Sequence, residues 1–478
     1  MLRLLANPWT VVFLVAITAC IGGGTVALGE QDRRVDSTPT ATAHAQAAPR
    51  KAEGTTGPGS QAALTAPRDE WRYASGAKNN PGKAGLFGKA FHYDAFVYDK
   101  AASNPAVAGI VRRGTIVPVG AAVSGAGCKG GTWYKADPFG YVCTSLGFHV
   151  SDSPTSDNYG VPPAEVGARL PYQYARVITK RAPRYYRMPT VAEEKQARRA
   201  MLKKGPTPEV VSSLMEGDYF LALGEKATRE EDGKVFYRTV RNRYVWADDL
   251  ELRNPEIVRG EQLGKGGWTL PLAFVYEEDR PLLTQRSGAL ATVGTAEKHA
   301  RFVVADEFED GGVDYVRGRD GIVRRDQVRV ARAVDRPSTV TAGTKWIHVD
   351  LGEQTLVAYE GDKPVYATVI SSGKKGYEPP TGTFKVQQKY ISTTMNATDP
   401  IDGFYEVEEV PWTLYYHGGY ALHGAYWHTD FGKVRSHGCT NIAPVDARWL
   451  YYWSEPDVPP SWHAVRFRPD TTFVYFTR

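Results

Sequence analysis

Apolar and polar positions change rhythm several times along the 478 residues. One arginine near the start is followed by an apolar run from Trp9 to about Leu28, the length of a membrane-spanning helix. From about Gln31 to Pro67 the chain turns to Ala, Thr, Gly, Pro, Ser and Gln without hydrophobic period. Such a composition buries too little apolar surface to offset the entropy of ordering and reads as a tether. Folded sequence begins near Trp71. Three later stretches, "WYKADPFGYVCTSL", "FYRTVRNRYVWADDL" and "DYVRGRDGIVRRDQV", share one spacing. In each, Tyr134, Tyr237 or Tyr315 is followed seven residues later by an apolar residue and then valine, with Leu146, Leu250 or Val328 beyond. That spacing predicts a strand, a tight polar turn, a second strand and a short closing strand. Between the first two stretches lies the basic segment 176–204, where "VAEEKQARRAMLKKG" predicts a surface helix ending at Gly205.

From Lys345 the alternation is that of strands. In "KWIHVDL", Ile347, Val349 and Leu351 alternate with polar or amphipathic positions. "TLVAYEGDKPVYATVISSG" reads as two strands joined at Glu360–Lys363, and "PPTGTFKVQQKY" as another strand after a Pro/Gly loop. "APVDARWLYYW" reads as a short helix with Pro444 near its first position, where a missing N–H costs nothing. The expected fold is mainly β with little helix. The repeated hairpins resemble the end of bacterial SH3-like barrels, which implies modules at 86–150, 170–255 (with the basic helical insertion) and 270–332, ahead of a C-terminal domain at 343–470.

Composition narrows the partners. A net charge of +5 gives no case for nucleic acid. The 27 tyrosines and 11 tryptophans suit sheets and sugar- or peptide-binding surfaces. Residues 1–29 read as an export signal or a membrane anchor, and Ile17-Thr18-Ala19-Cys20 resembles a lipobox with Cys20 as the lipidated residue. Both readings put the rest of the chain, after a linker at 30–68, outside the cytoplasmic membrane, tethered in the cell envelope on its periplasmic or outer side. Of the four cysteines, Cys128 and Cys143 flank the first hairpin and are expected to form a disulfide in that oxidising compartment. Cys439 is then left without a partner, and an odd thiol in an exported protein calls for a reason.

That thiol sits in "ALHGAYWHTDFGKVRSHGCTN", which holds three of the chain's ten histidines. A histidine beside Cys439 would take its proton and make a strong nucleophile. Gly438 allows a tight bend, so that the N–H groups of Gly438 and Cys439 would converge on a developing oxyanion. The Gly424 carbonyl would accept the second imidazole N–H of His423 and fix its tautomer, a part that a carboxylate plays in other triads. Two other readings compete: a zinc site of His423, His428, His437 and Cys439, against which His437 and Cys439 are too close in sequence for a usual zinc pair, and an inert buried thiol.

The segment "HGGYALHGAYWHTDFGKVRSHGCTNIAPVDARWLY" closely resembles the signature of the L,D-transpeptidase catalytic domain, a family that cross-links bacterial peptidoglycan. The likeness includes His423-Gly424, Trp427-His428, Phe431-Gly432, Ser436-His437-Gly438-Cys439, Asn441 and Asp446-Ala447, with Pro380-Thr381-Gly382-Thr383-Phe384 upstream. The resemblance implies a β-sandwich catalytic domain in which Cys439 is the nucleophile, His423 the general base and the Gly424 carbonyl its orienting group. His437, with Ser436 and Gly438, would shape the oxyanion region, and Asn441 would support the loop or meet the stem peptide. Some relatives carry arginine at that position. Tyr426, Trp427 and Tyr377 are candidates for lining the groove.

The implied reaction is attack by Cys439 on a tetrapeptide stem, loss of D-alanine, and transfer of the thioester to a second stem as a 3→3 cross-link. Water as acceptor would make an L,D-carboxypeptidase, a protein amine an anchoring enzyme, and a decayed site a wall-binding scaffold. The implied partners are donor and acceptor stems, wall glycan, and a membrane or lipid anchor. No metal and no organic cofactor is called for.

Overall fold

The computed structural model describes residues 62–64, 85–154, 162–203, 205–255, 257–399 and 403–478, all within the compact unit Ala62–Arg478. The expected signal or anchor at 1–29, Cys20 within it, and most of the 30–68 tether lie outside the described residues. One part of that tether is corrected. Ala62–Leu64 pairs in parallel with Gly294–Ala296, because the strand Ala289–Ala296 otherwise leaves a sheet edge unpaired.

The three recurring stretches each form a hairpin. Tyr134 pairs with Val142, Tyr237 with Val245, and Val316 with Val323. The strands around them repeat one order. In the first module, Leu86–Ala90 lies between the last strand, Phe148–Ser151, and Ile116–Val123, which leads into the hairpin Trp133–Ala136/Tyr141–Cys143. The hairpin then meets Asp94–Tyr98, which pairs with Val107–Arg112. The second module runs identically through Leu250–Arg253, Gln173–Val177, Asp218–Thr228, Val235–Thr239, Tyr244–Trp246, Ala182–Tyr185 and Val211–Met215. The third does so from Val328–Ala331 to Ala289–Ala296, with its fourth strand broken into Arg301–Val303 and Asp306–Asp310. Each closes on its own apolar core, for example Val97, Val117, Val142 and Phe148 in the first.

The basic insertion is the helix Val191–Lys203. Part of its charge is neutralised against the strands of the second module rather than offered to solvent. Glu194 is buried against Arg229 (2.6 Å) and Lys234 (2.6 Å), and Arg198 pairs with Asp249 (2.5 Å).

The C-terminal domain has two sheets facing one core. The first orders Gly382–Lys385, Phe473–Thr477, Lys345–Asp350, Thr355–Glu360 and Lys363–Ser371. The second orders the end of Lys363–Ser371, Thr440–Ile442, Tyr420–Gly424, Gly403–His417, Gln388–Asp399 and Ala464–Arg466. Ile347, Leu356 and Val474 from one sheet meet Trp412, Leu414 and Leu422 from the other. The expected boundary at 470 is too short, since Phe473–Thr477 pairs in parallel with Trp346–Asp350 at the centre of the first sheet. The helix Pro444–Trp453 forms with Pro444 in its first turn.

The modules are built into this sheet rather than strung before it. Ala464–Val465 pairs with Gly109–Ile110 of the first module, and the Trp462 ring is buried in that module's core. Gly109 makes room for it, because a Cβ there would lie 2.2 Å from the ring. Asp218–Phe220 of the second module pairs in parallel with Tyr405–Val407. Glu409, fully buried at a bulge in Gly403–His417, receives Arg112 (2.7 Å) and the Tyr93 hydroxyl (2.8 Å) from the first module. Buried charge of this kind persists only with such partners.

Candidate active site

Strand Tyr420–Gly424 runs parallel to Thr440–Ile442, with Leu422 opposite Thr440 and His423 opposite Asn441. Carried back one residue, the register sets Ala421 against Cys439. Side chains alternate across a sheet, so His423, Asn441 and Cys439 share one side. Cys439 and His423 are therefore diagonal neighbours on adjacent strands, with no hydrogen bond between the two side chains in this resting arrangement. His423 Nδ1 lies 3.3 Å from the Gly424 carbonyl oxygen, which fixes Nδ1 as the protonated nitrogen and leaves the lone pair on Nε2. Cys439 is partly exposed, and its Sγ donates to the Gly419 carbonyl at 3.7 Å.

Electrostatics keep both groups neutral at rest. Burial pulls the His423 imidazole down to about 4, against the opposing Gly424 carbonyl. Burial pushes the Cys439 thiol up to about 11, with the Ala421 N–H working the other way. Both shifts favour the uncharged forms, a thiol and a neutral imidazole, across the middle of the pH range.

The segment between the two strands is tied down along the edge Ile370–Lys374. Gly432 N–H donates to the Ile370 carbonyl (2.7 Å), Arg435 and Ser436 N–H to Ser372 (2.8 and 3.0 Å), and Lys374 N–H to Ser436 (3.0 Å). The third module holds it from the other side through Arg329, whose Nε donates to the Gly432 carbonyl at 2.8 Å, and through a Lys433–Glu277 pair at 3.2 Å.

Several expected site residues lie around this segment. Trp427 is half-buried with its ring 5.7 Å from that of His423. The His437 ring stacks on Tyr405 (5.1 Å) and meets the edge of Tyr377 (5.3 Å), with Lys374 Nζ 3.3 Å from its Nε2. Ser436 ties the loop by donating from Oγ to the Cys439 carbonyl.

Three expectations are corrected. The Gly438 N–H does not face the position of an oxyanion, because the nearer Ser436 Oγ takes it at 3.1 Å in the same tight turn. Glycine is still required there, with φ +125° and only 2.9 Å between a built Cβ and the Tyr420 ring. Tyr426 does not line a groove; it is fully buried, stacked on Tyr174 at 3.9 Å with its hydroxyl donating to the Glu408 carbonyl at 3.2 Å. It lies past the end of its strand, where the chain turns into the contact with the second module. Asn441 is also buried, its amide spent on His428 at 2.8 Å, so it supports the loop and does not meet a ligand.

Lys374 and Tyr405 are not among the expected site residues, and His428 is expected only as a member of the alternative zinc set and of the signature. His428 had a signal, being one of the clustered histidines, whereas Tyr405 arrives from a distant hairpin and has none in sequence. The alternative zinc set is divided, since His428 is held by the Asp430 N–H (3.2 Å) and Asn441 while His437 faces its tyrosines. Among the described residues no group of three or more His, Cys, Asp or Glu side chains is arranged to hold a metal ion. Cys128 and Cys143 are joined in a disulfide, with their Cα atoms 5.8 Å apart.

Residues 344–461 match the YkuD family, the L,D-transpeptidase catalytic domain. The protein described as "Putative L,D-transpeptidase YciB" of Bacillus subtilis (strain 168) is 29% identical over 119 residues, which are 22% of this chain and 59% of that protein. This chain therefore spans about three fifths of that relative's length. Among solved structures, the catalytic domain of the Enterococcus faecium L,D-transpeptidase is 25% identical, with a TM-score of 0.24, covering 29% of this chain and 100% of that one. The same domain acylated by ertapenem is 25% identical, with a TM-score of 0.22, covering 27% of this chain and 100% of that one.

Proposed function

We propose, from the premise that residues 344–461 form an L,D-transpeptidase catalytic domain, that this chain cross-links stem peptides of the bacterial wall through a Cys439 thioester. Sγ attacks the carbonyl of the third residue of a tetrapeptide stem, and the thiol proton passes to His423 Nε2. The tetrahedral adduct collapses, the proton moves to the departing nitrogen, and D-alanine leaves. The side-chain amine of a diamino acid in a second stem then attacks the thioester. Its proton returns through His423, the thiol is released, and a 3→3 cross-link remains. Bonds and protons balance without any redox step, and no metal or organic cofactor takes part.

One observation carries this reading. His423 and Cys439 sit diagonally on adjacent parallel strands, with the Gly424 carbonyl 3.3 Å from the imidazole nitrogen that must hold the proton. The deprotonated product is the costly species in that buried site, so the base must act as the bond forms. Trp427 and Tyr377 would flank the stem, and His437 would shape the region around the adduct.

The three like-ordered modules fit SH3-like wall-binding barrels that set the domain against glycan. With residues 1–29 as an export signal, a spanning anchor or a lipoprotein leader ending at Cys20, the enzyme would work in the cell envelope, tethered to the membrane.

Incubation with purified tetrapeptide muropeptides and mass analysis tests this. Cross-linked dimer with loss of D-alanine, absent in Cys439→Ala, is expected. Hydrolysed tripeptide alone would make the chain an L,D-carboxypeptidase, and transfer only to a protein amine an anchoring enzyme. No product and no carbapenem adduct on the thiol would leave a wall-binding scaffold.

A further inference from the structure

A cavity of about 390 Å³ lies where the first module, the second module and the hairpin Gln388–His417 meet. Four arginines reach it: Arg113 from the first module and Arg184, Arg241 and Arg243 from the second. Glu406 is the one carboxylate in its lining. Cross-strand pairing sets Glu406 beside Asn396, so both face the cavity, while alternation turns Tyr405 to the other side, where it stacks on His437. The cavity therefore backs onto the same hairpin that walls the active site.

The guanidinium groups are unequally satisfied. Arg184 bridges Glu406 (2.9 Å) and the buried Glu408 (3.1 Å). Arg241 donates to Thr394 Oγ1 (3.1 Å) and lies 3.8 Å from Glu409. Arg243 has only backbone carbonyls, those of Arg241 (3.4 Å) and Asn242 (3.0 Å), and stands over the Tyr186 ring at 4.7 Å. Burial, with Arg184 and Arg241 nearby, pulls its pKa below the ordinary arginine value. Arg113 makes no ion pair among the described residues, and its Nε is buried without a hydrogen-bond partner. Arg113 and Arg243 thus line the cavity beside two further arginines, half-buried and with no carboxylate within ion-pair distance of their own, which leaves their guanidinium donors open to an anion.

We propose that this cavity is an anion subsite that takes a carboxylate of a peptidoglycan stem peptide, outside the Cys439 site. The planar forks of arginine match a carboxylate in pairs of hydrogen bonds, and Asn396 and Thr394 supply the neutral polar contacts that a peptide needs beside it. The volume holds one or two residues of a stem rather than a folded partner. The proposal rests on the wall-peptide reading above for the identity of the ligand, though not for the presence of an anion site. Its position across three parts of the fold would let a bound stem set the orientation of the chain on the wall.

Calorimetric titration of the full chain carrying Cys439→Ala tests it, with a disaccharide-tripeptide muropeptide, the same molecule with its carboxyls amidated, and polyglycerol phosphate. The free muropeptide should bind, Arg113→Gln and Arg243→Gln should each weaken it about tenfold or more, the cost of one charged hydrogen bond, and amidation should cost as much as the double substitution. Should Arg243→Gln not fold, Arg243→Lys keeps the charge without the fork and should weaken binding less. Affinity that ignores both arginines, or that amidation leaves unchanged, would overturn the subsite. Arginine-dependent binding of polyglycerol phosphate in place of the muropeptide would also overturn it, in favour of a phosphate polymer. Thioester formation by the unsubstituted chain is a separate result, so a chain that never acylates but binds stems through Arg113 and Arg243 loses the enzyme and keeps the subsite.

Discussion

His428 Nε2 and the Asn441 side-chain amide stand 2.8 Å apart, joining the loop of the candidate site to the strand that follows the nucleophile. The Asp430 N–H donates to His428 Nδ1 (3.2 Å), so the neutral ring carries its proton on Nε2. Only the amide oxygen of Asn441 can meet that proton, so the network calls for Oδ1 at the position where Nδ2 stands 2.8 Å from the ring, the two ends of the group being nearly equal in shape.

Asn441→Leu should leave the buried Nε2–H without a partner and destabilise the chain by about 1–3 kcal/mol in denaturant titration. Asn441→Asp should raise the His428 pKa from about 3, where burial holds it, because an opposite charge favours the protonated ring. A His428 resonance that titrates identically in both proteins would count against this pairing.

The resting thiol should be slow. With its pKa pushed up to about 11 by burial, Cys439 carries less thiolate at neutral pH than an ordinary cysteine. Iodoacetamide alkylation should keep rising through pH 9 and level only near 11. A plateau already reached below pH 7 would mean a thiolate–imidazolium pair and would contradict the neutral site.

Glu409 and Arg112 should matter to folding more than their distance from the chemistry suggests. Burial alone would push the Glu409 carboxyl up, yet Arg112 and its neighbours hold it at about 2, below its unfolded value. Its contribution is complete above about pH 4.5 and is lost as pH falls towards 2. Glu409→Gln should destabilise the chain, by less than the ~3–5 kcal/mol of a fully stranded buried charge because Asp94 still meets Arg112 at 2.8 Å, and replacing both Glu409 and Arg112 by apolar residues should cost less again. Equal losses from the single and double replacements, measured by denaturant unfolding, would refute the coupling.

Gly438→Ala should fail at the turn before the nucleophile. Its φ of +125° and the 2.9 Å approach to Tyr420 give an added methyl no room. A loss of about 1–3 kcal/mol is expected, together with loss of acylation followed by intact mass. Native acylation rates in this variant would show that the turn tolerates another shape.

Much of this was legible in the chain itself. Alternation found the strands from Lys345 to Ser371, and the tyrosine–valine spacing found all three hairpins. The contact of the His423 ring with the Gly424 carbonyl could be anticipated because the two residues are adjacent in the chain. What pattern could not reveal was contact between distant segments. Tyr426 looks like a groove aromatic until Tyr174, more than two hundred residues earlier, is stacked upon it. Phe473–Thr477 follows a polar stretch and gives no hint that it becomes a central strand. The arginines of the junction are scattered from Arg113 to Arg243 and read individually as solvated surface.

Trp462 carries one more consequence. Its indole lies in the chain between two strands of the C-terminal domain, Gly403–His417 and Phe473–Thr477, and packs into the core of the first module, so the two are not parts along which the protein comes apart. A fragment cut to begin at Lys345 would bare that ring, the Glu409 carboxylate and a raw sheet margin at once. Such a piece would describe an artefact of excision, and the modules are better regarded as masonry in the wall of the C-terminal domain than as cargo on a leash.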